Sequence, residues 1–503
     1  MAATPERARV RWARALWALM AAVALWHLAA LGYIVATRVA FPFDIDWLDG
    51  GSLYQAYRIA HGERLYTSGD AGFVPYPYPP LYFAMLAGIG QVTGRIDYVG
   101  ARLLSILPFA SVALVAVRVV HLHAKTLRCA PRQAALIALA TAALIASEYP
   151  STLGAYDGVR PDALAAAFAC GAVVLACFPT TSGSASGPQH ALGAALLMTL
   201  ALFTKQTHIV LALALGVLLL VRSRALGLVY GTTLGALSLG GFLALERATA
   251  GAFSPWLFGV RHHSVDIVKL AEGAQRLVVG APHLVVIALV ATTHWRVLSP
   301  RSRAWVVATA STVPAALVPY AKAWGAPNNF VPVMLLAAPT AAFVLLDVLT
   351  SSYRVLGVPL LAATFGGLLA GRVYEGDSFR PTKEMQTYAR ALVGKVAALD
   401  GDVLSPVHTY LPIAAGHYEE QAPLLSYLDA EAARIPQVNA GAFVTYVRTR
   451  KPRWIIVTSG PEEDVLRDVL ADDYTVASTL DEPKTNNVFL SFPHRIYGRK
   501  TSP

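Results

Sequence analysis

Phe43-Asp44-Ile45-Asp46-Trp47-Leu48-Asp49 stands where the first long apolar run of the chain, Ala15 to Val35, has just ended. An apolar run of about twenty residues is long enough to cross a bilayer as a helix. Ionised groups close to hydrocarbon are costly and usually mark a functional site. The heptapeptide therefore sets two expectations at once: a membrane-spanning fold, and chemistry where its first helix leaves the bilayer.

The rest of the chain repeats the apolar half of this pattern. Of 503 residues, 55% are hydrophobic and only 14% charged, with a mean hydropathy of +0.49; soluble domains carry about 25% charged residues. The composition predicts a polytopic α-helical membrane protein. Apolar runs place spans at 12–36, 101–122, 133–148, 162–178, 190–204, 208–221, 225–245, 277–294, 304–320, 330–350 and 355–371, eleven in all. The net charge of +10 comes largely from arginines in short loops between these runs. That placement suits orientation in a membrane, not a nucleic-acid surface.

With Lys125, Arg128, Arg132, Arg222, Arg224, Arg296, Arg301, Arg303 and Arg354 on the cytoplasmic side, the N-terminus lies inside and the C-terminus outside. Arg7 to Arg14 followed by the apolar run resembles a signal peptide, but the run is too long and lacks a small-residue cleavage site, so it is read as an uncleaved first span. Leu81 to Val92 is apolar but too short, and counting it would invert the positive loops. It is expected as an interfacial helix in the first outer loop, with a second helix at 50–61. The Thr180–Gly187 stretch reads as a flexible linker. Cys129, Cys170 and Cys177 have no metal or disulfide spacing and read as small core residues.

The pattern changes near residue 374. A helix is expected over Thr382–Ala398, strands at Val403–Val407, Trp454–Thr458, Tyr474–Ser478 and Val488–Phe492, and a helix at Pro461–Ala471. The chain thus divides into a transmembrane part, 1–373, and a small extracytoplasmic α/β part, 374–503.

On this topology, five connections aim polar groups at the outer face: Asp44, Asp46 and Asp49; Asp157, Arg160 and Asp162; Lys205 and Gln206; His262 and His263; Lys322 and Asn328. Carboxylates beside cations suit a transfer in which a base takes a proton from an acceptor hydroxyl and a phosphate-bearing group departs. The cations would then meet the charge that grows on the phosphate. Asp44-Ile45-Asp46 also reads as a DxD, a pattern that can hold a divalent cation through oxygen ligands; no metal ligand is assigned.

Several of these stretches resemble the GT-C class of polytopic glycosyltransferases, in particular its protein O-mannosyltransferase and aminoarabinose transferase branch. They are Asp44 to Gly50, Gly62-Glu63-Arg64-Leu65-Tyr66, Pro75 to Tyr82, Arg102-Leu103-Leu104-Ser105, Asp157 to Asp162, Thr204-Lys205-Gln206-Thr207 and Gly325 to Pro332, spread over residues 12–371. The resemblance implies a bacterial cytoplasmic-membrane enzyme that moves a hexosyl or pentosyl group, with inversion, from a polyprenyl-phosphate donor to a lipid, glycan or protein acceptor. It also implies an acidic residue of the first outer loop as base: Asp46 first, Asp44 second. Asp49 is left to bind acceptor or to cap the following helix, and Asp157, Arg160, Asp162, Lys205, Gln206, His262, His263, Lys322 and Asn328 to bind substrate. Arg64 and Arg102 are expected to brace the loop. Two other readings stand beside this one: a transporter or flippase of a lipid-linked sugar, and a non-catalytic membrane protein binding glycan through residues 374–503.

Overall fold

The computed structural model describes residues 5–67, 72–177, 187–353, 355, 357, 360, 364–365, 378–484 and 490–500. The chain begins with α1 (Pro5–Val39). Two helices follow, α2 (Trp47–Ala60) and α3 (Leu81–Thr93), and then α4 (Tyr98–Thr126) and α5 (Pro131–Ser147). Next come α6 (Asp162–Cys177), α7 (Pro188–Thr204), α8 (Ile209–Arg222), α9 (Arg224–Ala248) and the short α10 (Phe253–Gly259). The helical part closes with α11 (Ile267–Gly280), α12 (His283–Thr293), α13 (Pro300–Ala321) and α14 (Val331–Thr350).

Among the described residues six helices are long and apolar enough to cross a membrane: α1, α4, α5 with its trailing 3-10 turn, α9, α13, and α14 with its leading one. α14 is buried along nearly its whole length and packs on α4, α5, α6 and α13. Alanines make the close approaches: Ala163, Ala166, Ala169, Ala172 and Ala176 of α6 are buried, and small side chains let helix backbones come together in a membrane.

The expected span 277–294 is not one helix. It breaks between Gly280 and His283, where α11 and α12 meet at 92°. Pro282 has no N–H to continue the ladder and clashes with the preceding turn. With the bent pair taken as one crossing, the described residues hold seven such spans; α3, α6, α7 and the helical stretch Gln206–Arg222 are shorter apolar helices. The segment 355–371 and the 373/374 boundary fall largely outside the described residues, as does the 180–187 linker except for its last residue.

The C-terminal part carries α15 (Lys383–Ala397), β1 (Val403–Leu404), α16 (Leu411–Ala414), α17 (Leu424–Ala432), α18 (Ala440–Arg450), β2 (Trp454–Thr458), α19 (Pro461–Asp473), β3 (Tyr474–Thr479) and β4 (Pro493–Arg499). The sheet order is β1-β2-β4-β3, with β1 parallel to β2 and the other pairs antiparallel. β1 is shorter than expected: Pro406 cannot donate to a ladder, and the chain turns away toward the segment between α1 and α4. The last strand lies later than the expected 488–492. Leu490 and Phe492 instead bury their side chains in the cluster beneath α15, and pairing begins at Pro493.

Candidate active site

The segment between α1 and α4 is wound around one buried cation. Arg102 of α4, fully buried, donates from Nη1 to the carbonyls of Arg38 (2.8 Å) and Phe41 (2.5 Å), and from Nη2 to that of Phe43 (2.6 Å). A planar guanidinium spreads five donors over a rigid fork and reaches carbonyls set apart, where an ammonium gathers its three on one nitrogen. Arg102 therefore braces the loop as expected. Arg64 does not: its side chain is exposed and only its carbonyl is used, by Arg58.

Within this loop the three carboxylates part company. Asp44 accepts from the Tyr98 hydroxyl at 2.7 Å and lies 2.6 Å from His408 Nδ1, joining the loop to the C-terminal part. Asp49 accepts from the backbone N–H groups of Ile45 (3.1 Å) and Val159 (3.0 Å), with Arg102 3.5 Å away. Asp46, not Asp49, caps α2, accepting from Leu48 N at 2.9 Å, and it is ion-paired with Arg160. Asp46 keeps 13% of its side-chain surface exposed, against 2% for Asp44 and none for Asp49, so it alone of the three is reachable. The two carboxylates of the DxD turn to different partners and present no common oxygen set to a cation. Among the described residues no three His, Cys, Asp or Glu side chains gather as a metal site.

A second network lies under the cavity. Lys205 Nζ, at the C-terminal end of α7, is 2.6 Å from Asp162 Oδ1 and donates to Asn329 Oδ1 at 3.0 Å, and Asn328 Nδ2 reaches Asp162 at 3.0 Å. Asp157 pairs with Arg38 at 2.9 Å and accepts from the Tyr149 hydroxyl. Gln206 donates to the Pro77 carbonyl at 2.7 Å, fastening the Tyr76–Tyr78 stretch.

These elements enclose a cavity of about 300 Å³ whose polar lining includes Arg160, Lys205, Gln206, Arg261, His263, Lys322, Asn328, Asn329 and Asp429, with Trp47, Tyr76, Tyr78 and Trp324 as aromatic walls. Five connections remote in sequence thus meet at one place. Arg160, Lys205, Gln206, His263, Lys322 and Asn328 line it, Asp46 stands behind Arg160, and Asp162 supports Lys205. Asp44, Asp49 and Asp157 are buried ties in its frame. His262 is exposed and contacts only the neighbouring Arg261.

Asp429 was not foreseen. It comes from α17 in the C-terminal part and approaches Lys322 Nζ (3.7 Å) and His263 Nε2 (3.6 Å). His408 and Tyr98 were also missed; isolated residues paired with Asp44 across 364 and 54 positions leave no local pattern.

Burial dominates the electrostatics. It pushes the Asp46 carboxyl above the usual aspartate range, Asp49 adding to the rise and Arg160 pulling it back. Asp44 is pushed the same way by burial, opposed by His408. The Lys205 ammonium is lowered by burial, with Asp162 holding it up. The arrangement offers two reachable carboxylates, Asp46 of the first loop and Asp429 of the C-terminal part, set among cations able to meet an anion.

No family model matches the sequence, and no curated protein is significantly similar to it. Among solved structures, ArnT from Cupriavidus metallidurans bound to undecaprenyl phosphate is 14% identical, with a TM-score of 0.60 over 94% of this chain and 97% of that one. The apo form of the same protein gives 15% and 0.59 over the same shares. An oligosaccharyltransferase from Archaeoglobus fulgidus, 12% identical, reaches a TM-score of 0.45 over 86% of this chain and 69% of that one. The two ArnT structures thus share the fold of this chain.

Proposed function

Starting from that fold and from the resemblance of the sequence to the GT-C class, we propose that this chain is a membrane glycosyltransferase. It moves one sugar from a polyprenyl-phosphate carrier to an acceptor hydroxyl outside the bacterial cytoplasmic membrane. Asp46 takes the hydroxyl proton as the acceptor oxygen attacks the anomeric carbon from the side opposite the phosphate, so the centre inverts. The bond from that carbon to the phosphate oxygen breaks, its electron pair stays on the departing polyprenyl phosphate, and Arg160, Lys205 and Lys322 meet the added charge. The observation that carries this reading is the one reachable first-loop carboxylate beside Arg160, on a cavity that Lys205 also lines. The undecaprenyl phosphate held by the similar ArnT structure supports a lipid-phosphate donor. Asp429, His263 and the aromatic walls are assigned to the acceptor or the sugar, whose identities stay open. No step requires a metal.

The topology belongs to the same proposal. Counting the bent α11–α12 pair as one crossing, and α6, α7 and α8 as further crossings, gives ten among the described residues; the eleventh expected span, 355–371, lies largely outside them. The N-terminus is then cytoplasmic and the Asp46 end of the bundle extracytoplasmic.

The test is transfer of radiolabelled sugar from a polyprenyl-phosphate donor to mixed acceptors by the reconstituted protein, with and without chelator. Asp46→Asn keeps a competent cap and an oxygen for Arg160, so it should fold yet lose about 10²- to 10⁴-fold in rate, the usual share of a general base. Equal transfer by both proteins rejects the base assignment. Movement of intact donor across the membrane without transfer rejects the enzyme in favour of a carrier.

A further inference from the structure

Three of the inter-helix arginines, Arg222, Arg301 and Arg303, line a second cavity. It holds about 610 Å³ and lies among the C-terminal ends of α4, α6 and α8 and the N-terminal end of α13. It sits at the opposite end of the bundle from Asp46. α6 begins at Asp162 in the first site and ends at Cys177 here, and α13 begins here and ends at Ala321, next to Lys322. At 1.5 Å per residue, the sixteen residues of α6 separate the two ends by about 24 Å, most of a hydrocarbon thickness.

Among the described residues the lining contains Arg222, Arg301, Arg303 and His123 and no acidic side chain. Asp347 lies behind it, 2.9 Å from His123 Nε2 and accepting from Ser299 N at 2.6 Å, and so holds His123 against the start of α13. Arg301 Nη1 is 3.3 Å from the other nitrogen of that imidazole. Arg222 reaches the Ala176 carbonyl at 3.4 Å, and Arg303 the carbonyls of Trp295 and Arg296 at 3.1 Å each. The carbonyl contacts aim the Arg222 and Arg303 guanidinium groups without cancelling their charge. Leu218, Leu219, Ala304 and Val307 form apolar walls. Beyond the mouth, the face of α8 carries Val217 and Val221, exposed by 60% and 82%.

We propose that this cavity binds the phosphate headgroup of an anionic glycerophospholipid from the leaflet opposite the Asp46 site. Guanidinium groups pair with phosphate through two parallel N–H bonds, and basic pockets between transmembrane helices suit anionic headgroups. The apolar walls and the bare α8 face fit acyl chains, for which an inorganic ion has no use. The site rests on its own geometry and not on the transfer reaction, so either can fail without the other.

The test uses the full chain in nanodiscs of phosphatidylcholine, with or without phosphatidylglycerol. Thermal midpoints are measured, together with the lipid retained in native mass spectra after delipidation. Phosphatidylglycerol should raise the midpoint of the wild type and remain bound. Arg222→Gln with Arg303→Gln should weaken retention about tenfold or more, as expected for losing charge-assisted bonds, with sugar transfer unchanged. Equal retention in wild type and variant overturns the proposal, and so does equal protection by inorganic phosphate or by phosphatidylcholine alone. Should the glutamine pair fail to fold, Arg222→Lys with Arg303→Lys decides: phosphatidylglycerol-specific protection supports the site, and its absence overturns it.

Discussion

Replacing Arg102 by methionine tests whether one guanidinium shapes the catalytic loop. The side chain is fully buried and serves the carbonyls of Arg38, Phe41 and Phe43 at 2.5–2.8 Å. Hydrogen bonds to a charged group contribute about 1.5–3 kcal/mol each, and a buried acceptor left unpaired costs about 1–3 kcal/mol. Losing a buried charge partner costs about 3–5 kcal/mol, but Asp49 keeps two backbone donors, so little of that applies. The loop will also relax and admit water, so the terms do not add in full. A loss of roughly 4–6 kcal/mol remains. For a chain this long, where each kcal/mol moves the midpoint by less than the roughly 2–4 °C of a smaller domain, that corresponds to a fall of about 5–10 °C. Heating detergent-purified protein and following the monodisperse fraction by size exclusion measures it. Transfer should fall with stability, because the same loop carries Asp46. Arg102→Lys should recover less than half of the loss, since an ammonium gathers its donors on one nitrogen. An Arg102→Met protein melting within about 1 °C of wild type would refute the reasoning, because an unpaired buried carbonyl alone exceeds that.

Other tests follow from particular groups. Burial pushes the Asp46 carboxyl up, and a base must be deprotonated to work, so kcat/KM should fall toward acid with a limb above the ordinary aspartate range; a flat acid profile would remove Asp46 from the role. Glu462 in the C-terminal part is buried and pushed up to about 8. The folded state thus binds more proton than the unfolded one between pH 4.5 and about 8, and stability should fall as pH rises through that window, by at most about 5 kcal/mol. Glu462→Gln keeps an acceptor for Thr458 N and should flatten the dependence of the thermal midpoint on pH. A Cβ at Gly51 would overlap the buried Tyr76 ring, so Gly51→Ala should push that wall of the cavity aside and raise KM more than it lowers the thermal midpoint.

What could be read from the sequence was what local pattern encodes. Apolar runs gave the helices of the bundle, and the apolar spacing after Thr382 gave α15. The Trp454–Thr458 strand and the helix from Pro461 were likewise visible. The failures have equally physical origins. Hydropathy averages over Gly280–His283 and cannot register that Pro282 turns the chain through a right angle. Leu490 and Phe492 are apolar because they are buried, not because they pair in a sheet. Asp49 looks like a cap from its neighbours, but its oxygens are claimed by Val159, 110 residues away. The roles of Asp44, Asp46 and Asp49 were separable only once their partners were known, because the three differ in what they touch and not in sequence context.

The contact between Asp44 and His408 has a consequence for modularity. Together with the hydrogen bonds from Gln421 N to the Tyr54 hydroxyl and from the Tyr410 hydroxyl to the Ile96 carbonyl, it makes the loop that opens the chain and the segment that nearly closes it one cooperative unit. A chimera carrying a foreign tail would arrive without the imidazole that this aspartate is shaped to meet, and would strand an acid inside the joint. Domain shuffling, often cheap for an appended head, is here constrained to bring both halves of the latch or neither.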